Sequence, residues 1–182
     1  MTANVADIQA NKKSVRRAMR LRRASLSSQA QRSASRALYR RLVTSSLFRF
    51  SRRIAFTIAR DGEIDTRMLT EEAWRRGKQC YLPVMSRVGE TRLTFRQWRK
   101  DTRMQRSYYD IPEPRLGQTS IPAASLSLVL FPLVAFDKSG NRLGMGKGYY
   151  DHTFAFKHRS VRKQPALIGL AHDCQRTESL PT

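Results

Sequence analysis

Residues 126–131, LSLVLF, form a nearly continuous apolar run, the pattern of a strand whose two faces are both covered. Such a strand needs a layer above and a layer below, and helices are the usual cover. The neighbouring segments supply them. Residues 11–26 read as a helix with Val15, Met19 and Leu26 on a narrow apolar stripe, and residues 30–43 as another, with Ala34, Ala37, Leu38 and Leu42 at helical spacing. Residues 53–59, RIAFTIA, read as a strand that ends before the turn signal Asp61-Gly62. Asp65 or Thr66 is placed to cap a further helix, in which Met68, Leu69 and Ala73 face inward and Gly77 marks the stop. Residues 80–85 give the next strand. The expectation is an α/β layered domain with a central, mostly parallel or mixed sheet flanked by helices. Its 182 residues fall within the size of one domain, spanning 1–182. Residues 86–124 are the least regular stretch; they include a β-like piece at 92–97 and leave open a hairpin or a mobile flap.

The apolar run empties into residues 131–151, FPLVAFDKSGNRLGMGKGYYD. In open α/β sheets, loops after the carboxyl ends of strands carry the sites. Gly144, Gly146 and Gly148 alternate, so side-chain bulk is absent at every second position and backbone N–H groups can close on polyanionic oxygens. Arg142 and Lys147 add positive charge. Asp137 and Asp151 bracket the loop, and a carboxylate at a phosphate site is the usual hard oxygen ligand for Mg²⁺. The pattern is neither the Walker motif nor the dinucleotide fingerprint GxGxxG. Glycine spacing by itself fits an ordinary turn between strand and helix equally well. The cations, the aspartates and the pair Tyr149-Tyr150 favour a phosphate site, because a plain turn needs none of them.

Charge points the same way. The chain holds 35 Lys and Arg against 14 Asp and Glu, a formal net charge of +21. The first 60 residues carry fifteen basic side chains and one acid, Asp7. Such an excess attracts nucleic acid without sequence preference, and equally attracts anionic small molecules. In the helix over 11–26, Lys12, Arg16, Arg20 and Arg23 lie together beside the apolar stripe, so one edge packs while its neighbour points at something anionic. No aromatic-basic single-strand platform and no zinc-finger spacing is visible, so a specific nucleic-acid partner is not expected, while non-specific binding stays open. No apolar run approaches the length of a bilayer, and the first 30 residues lack the apolar core of a secretion signal. A cytoplasmic protein without a membrane partner is expected. Cys80 and Cys174 lack metal-binding spacing, so both should be reduced and no structural zinc is expected.

The run PLVAFDxxGxRLGxGxGYYD resembles the signature of the 5-formyltetrahydrofolate cyclo-ligase family, the 5,10-methenyltetrahydrofolate synthetases. Other pieces follow in that family's order: KxxxR from Lys12 to Arg16, EIDT at 63–66, GKQCYLPV at 77–84, IPEP at 111–114 and GLAHDCQ at 169–175. The resemblance runs from about Lys12 to the last residue.

It implies a NagB/RpiA/CoA-transferase-like fold and the ATP-dependent closure of 5-formyltetrahydrofolate, with or without a polyglutamate tail, by a monomer using ATP and Mg²⁺. It further implies that Lys12 and Arg16 contact the ATP phosphates, with Lys13 and Arg17 offering a register shifted by one. Arg142, Leu143, Gly144, Met145, Gly146, Lys147, Gly148, Tyr149 and Tyr150 would form the rest of the nucleotide cradle. Arg142 and Lys147 would be the catalytic cations. Glu63 would bind the pterin, Ile58 would touch the same ligand, and Tyr149 rather than Tyr150 would line the folate pocket. Asp151 is the implied Mg²⁺ ligand, and Asp137 is expected to hold the loop. His152, His158 and His172 receive no catalytic role, with surface or supporting positions as the default. Many bacterial members carry glycine and arginine where this chain has Lys147 and His152. The family pattern also continues past the Leu-Pro pair with a segment whose late aspartate can join the metal site, whereas this chain stops at Thr182; that segment is expected to be missing.

Overall fold

The computed structural model describes residues 5–85, 90–158 and 165–181. Three helices come first: α1 (Val5–Ala24), α2 (Ser28–Val43) and α3 (Ser46–Phe50). Then follow β1 (Arg53–Ala55), α4 (Arg67–Arg75), β2 (Gln79–Met85), β3 (Leu93–Gln97), β4 (Met104–Arg106), β5 (Pro112–Pro114) and β6 (Ser120–Ile121). The chain continues through β7 (Leu128–Pro132), β8 (Ala135–Phe136), β9 (Arg142–Leu143), α5 (Tyr149–Phe154) and β10 (Ala166–Leu170). Six strands make one sheet in the order β10-β7-β1-β2-β3-β6. Pairing is parallel from β10 through β2 and antiparallel from β2 through β6, so the expected mixed sheet is present.

The sheet is covered on both faces because its inner strands alternate within an unbroken apolar sequence. Leu128 and Leu130 of β7 join Ile54, Phe56, Phe48, Leu69 and Ala73 on one face, under α3 and α4. Val129 and Phe131 point the other way, to Ala55, Tyr81, Phe95 and Phe154 of α5. A third cluster joins Met19 of α1 to Val134, Ala135, Leu143 and Leu180, which docks α1 on the small β8–β9 pair. No helix among the described residues is long and apolar enough to cross a membrane.

Several boundaries differ from the sequence expectation, each for a local reason. The first helix starts earlier and ends at Ala24, so Leu26 lies beyond it. The ladder of β1 stops at Ala55, although the Phe56 N–H still reaches the Tyr81 carbonyl at 2.9 Å. Beyond it the Thr57 carbonyl accepts the Thr66 hydroxyl at 2.9 Å, which turns the chain out of the sheet. Asp65, not Thr66, supplies the cap: its Oδ1 accepts the Arg67 N–H at 2.8 Å. β7 begins at Leu128 because residues 123–125 form a 3₁₀ turn that receives the Leu126 N–H.

Of the irregular stretch, residues 86–89 lie outside the described residues. The remainder contains a true hairpin, β4–β5, with Gln105 opposite Glu113. It is tied to the sheet by Arg96 of β3, which is 7% exposed, stands 3.4 Å from the Glu113 carboxylate and donates to the Pro114 carbonyl at 2.9 Å.

Candidate active site

The glycine loop lies between β9 and α5 and is rooted by Asp137. That carboxylate accepts N–H bonds from Ser139 at 3.0 Å, Asn141 at 2.9 Å and Leu180 at 3.1 Å, and from the Asn141 side chain at 2.9 Å. The Asn141 amide, followed by the backbone donors, holds its pKa below the ordinary aspartate value. Asp137 therefore serves the loop, as expected. The Leu143 side chain is buried with Met19, so only its backbone faces the loop. Gly144, Met145, Gly146 and Lys147 are exposed.

Arg16 of α1 fastens the loop from outside. Its Nε donates to the Gly144 carbonyl at 2.8 Å, and its guanidinium covers Gly146, where a Cβ would stand 3.3 Å from Cζ. Gly146 has φ +99° and Gly148 has φ +67°, conformations that glycine adopts without cost and L side chains resist. Arg142 projects from β9 over the Phe131 ring at 5.5 Å and donates to Asp151 Oδ1. That pair is exposed and joins a proposed phosphate ligand to the proposed metal ligand. Lys12 sits one turn before Arg16 on the same side of α1, and among the described residues no hydrogen bond or ion pair ties it to the loop. Among the described residues no group of three or more His, Cys, Asp or Glu side chains gathers as a metal cage.

The second half of the site is the turn at 60–63. Glu63 is 15% exposed at its side chain; Oε2 accepts the Arg60 N–H at 3.2 Å and Oε1 lies 3.6 Å from Nη1 of Arg23. Burial pushes its pKa up, while the Arg23 guanidinium and the Arg60 N–H pull against that shift. Ile58 is half-buried against the Ile54–Phe56 cluster, on the segment that leads from β1 into this turn. Desolvation pushes the Tyr150 hydroxyl pKa well up, and the Glu63 charge adds to it. Its ring packs 5.1 Å from that of Phe131, the commoner fate of an aromatic at a helix start. Tyr149 instead presents its hydroxyl to that of Tyr109 at 3.2 Å, and Arg60 donates to the Tyr109 carbonyl at 3.0 Å.

Tyr109 and Arg60 thus join the site without having been read from sequence, and Arg23, read only as part of the basic edge of α1, joins it as the partner of Glu63. Tyr109 arrives on the β4–β5 hairpin, whose placement depends on the distant Arg96–Glu113 contact. Arg20 and Arg23 correct the expected basic face of α1, because the anionic object they meet is the protein's own turn. Arg20 lies 3.6 Å from Asp61, and Arg23 meets both the Asp61 carbonyl and Glu63. His172 also departs from a surface position: it is 6% exposed, with Nε2 3.0 Å from the Gly62 carbonyl. His152 and His158 are exposed. Both cysteines are free, and burial pushes the Cys80 thiol up to about 12.

With this geometry in place, comparison with known proteins is direct. The model of the 5-formyltetrahydrofolate cyclo-ligase family matches residues 8–182. The 5-formyltetrahydrofolate cyclo-ligase of Haemophilus influenzae is 37% identical over 169 residues, covering 92% of this chain and 89% of that protein. The protein of the same name from Escherichia coli is 35% identical over 164 residues, covering 90% and 88%. The solved 5,10-methenyltetrahydrofolate synthetase of Aquifex aeolicus superposes with a TM-score of 0.78 at 26% identity, covering 94% of this chain and 82% of that one. A synthetase of that name from Mycoplasma pneumoniae shares the fold, with a TM-score of 0.71 at 22% identity over 93% and 90%. A glycine loop pinned by an N-terminal arginine, a half-buried glutamate after the first strand, and matches along nearly the whole chain agree on one assignment: this chain belongs to the 5-formyltetrahydrofolate cyclo-ligase family.

Proposed function

We propose that the chain catalyses the ATP-dependent conversion of 5-formyltetrahydrofolate to 5,10-methenyltetrahydrofolate, releasing ADP and phosphate. The observation that carries this reading is the single clamp formed by α1, with Arg16 seated on the glycine loop and Arg23 on Glu63. One helix thereby holds the glycine loop and the half-buried Glu63 carboxylate in fixed relation.

The formamide on N5 is a poor electrophile, and its oxygen is a poor leaving group. In the proposed sequence the formyl oxygen attacks the γ-phosphorus and ADP departs, giving an iminium phosphate. N10 then adds to the activated carbon, the C–O bond breaks as phosphate leaves, and the N10 proton is lost to solvent or phosphate. The protein's part is positioning and charge neutralisation. Lys12, Arg16, Arg142, Lys147 and the loop amides would hold the triphosphate, and Lys147 would meet charge developing on the transferred group. Glu63 would accept paired N–H bonds from the pterin, with Ile58 and Tyr149 against the ring and its substituents.

Asp151 suits a Mg²⁺ shared with the nucleotide, since this ion needs only one or two carboxylates besides phosphate oxygens and water. The ion would screen phosphate charge there, and the Arg142 guanidinium now paired with Asp151 would turn to the phosphates. The test is growth of methenyltetrahydrofolate absorbance with 5-formyltetrahydrofolate, ATP and Mg²⁺. Absence of product at every enzyme concentration, with intact folded protein, rejects the reading.

A further inference from the structure

Arg23 is one of the most deeply buried side chains of the described residues, with 2% of its surface exposed. A buried guanidinium costs several kcal/mol in desolvation unless it is paired and hydrogen-bonded. Among the described residues its carboxylate partner is Glu63 at 3.6 Å, and its Nε is occupied by the Asp61 carbonyl at 2.9 Å. The other Glu63 oxygen is taken by the Arg60 N–H, so each oxygen has its own anchor. Arg16, Met19 and Arg23 follow one another at helical spacing along the inner face of α1. Seven residues of helix rise about 10 Å, so the glycine loop and the Glu63 turn are fastened to one rigid spacer at that axial separation.

We propose that Arg23 is a positioning residue for the folate half of the site: through its ion pair it keeps Glu63 an ionised, oriented acceptor and ties that carboxylate to the nucleotide loop through α1. This rests on the reading of Glu63 as the pterin-binding group. Other charged or titratable groups facing Glu63 are Arg60 and Asp61 of its own turn and Tyr150 of α5. Arg32 and Arg36 of α2, Asp65, and Arg67 and Glu71 of α4 share a groove with it, and His172 holds the Gly62 carbonyl beside it. Of the charges acting on Glu63, Arg23 is the strongest opposing burial. Loss of that cation should therefore move the acid limb of folate use to higher pH, a change that simple loosening of the fold would not produce.

The experiment compares Arg23→Met, which fills space without charge, with Arg23→Lys. Both are assayed for kcat/KM towards 5-formyltetrahydrofolate and towards ATP across about pH 5 to 9, beside circular dichroism and thermal melts. Arg23→Met is expected to raise the folate KM about tenfold, the worth of one hydrogen bond to a charged group, with its acid limb moved up and the ATP KM changed far less. Arg23→Lys should return the limb towards that of the parent. A folded Arg23→Met with the parent's limb and folate KM overturns the proposal.

Should Arg23→Met not fold, Arg23→Lys is read with and without Glu63→Gln. A lysine effect on folate KM that vanishes in the Gln background supports the role, whereas additive effects overturn it. Glu63→Gln alone with a parent-like folate KM would instead overturn the assignment of Glu63, and this role with it.

Discussion

Replacing Gly146 by alanine attacks the glycine loop at one atom. Its φ of +99° lies beyond the left-handed region that other residues occasionally visit, so an L side chain there costs on the order of 1–3 kcal/mol. The new Cβ would stand 3.3 Å from Arg16 Cζ, tight enough that the guanidinium must give way and weaken its bond to the Gly144 carbonyl, worth about 1 kcal/mol. The total, about 2–4 kcal/mol, predicts a melting temperature lower by about 4–16 °C if the loop keeps its shape. If the loop relaxes instead, the cost appears as roughly tenfold or greater loss of ATP affinity.

Gly144→Ala is the control. Gly144 has no positive φ, and a Cβ there would meet nothing within 4 Å, so its melting temperature should match the parent. Calorimetric titration with ATP and a thermal melt on the same samples separate the two outcomes for Gly146→Ala. Unchanged affinity together with an unchanged melt would refute the reasoning, because strain and steric conflict would both have vanished.

Two further expectations concern stability. Phe48 has 0% exposure, with the Lys78 ammonium 5.2 Å and the Arg76 guanidinium 5.6 Å from its ring centre; Phe48→Ala should cost about 3–5 kcal/mol, read as a shift of the urea midpoint. Burial holds the His172 pKa below 6.5, so folding favours its neutral form. The associated stability is complete above pH 6.5 and declines as pH falls from there towards the folded-state value. Thermal melts at a series of pH values should show this decline in the parent and a flatter profile in His172→Gln; identical slopes would rule His172 out as its source.

The central sheet was legible because its signals are local. An apolar run without alternation can only be an inner strand, and β7 occupies an inner position between β10 and β1. The glycine loop was legible for the same reason, since its chemistry is contiguous from Asp137 to Asp151. Arg23 was not. Helical periodicity placed it among the cations of α1, but whether such a side chain meets solvent, a ligand or the protein depends on where residues 60–63 fold, 38 positions away for its bond to the Asp61 carbonyl. Tyr109 was hidden by a similar distance, because a hairpin with two prolines in β5 shows little strand propensity of its own. The early end of β1 reflects competition: Thr57 exchanges a possible ladder bond for the Thr66 hydroxyl.

The contact between Arg142 and Asp151 makes this end of the glycine loop self-neutralising. Under the proposed function, an arriving magnesium–nucleotide complex would bring a cation for the carboxylate and an anion for the guanidinium, so capture would be a partner exchange in which the one existing pair is replaced by two new ones. Charges that would otherwise repel one visitor or hoard the other would stay masked until both arrived together. Free nucleotide or free metal alone would each leave one of the two groups stranded, a built-in preference for the complex over its parts.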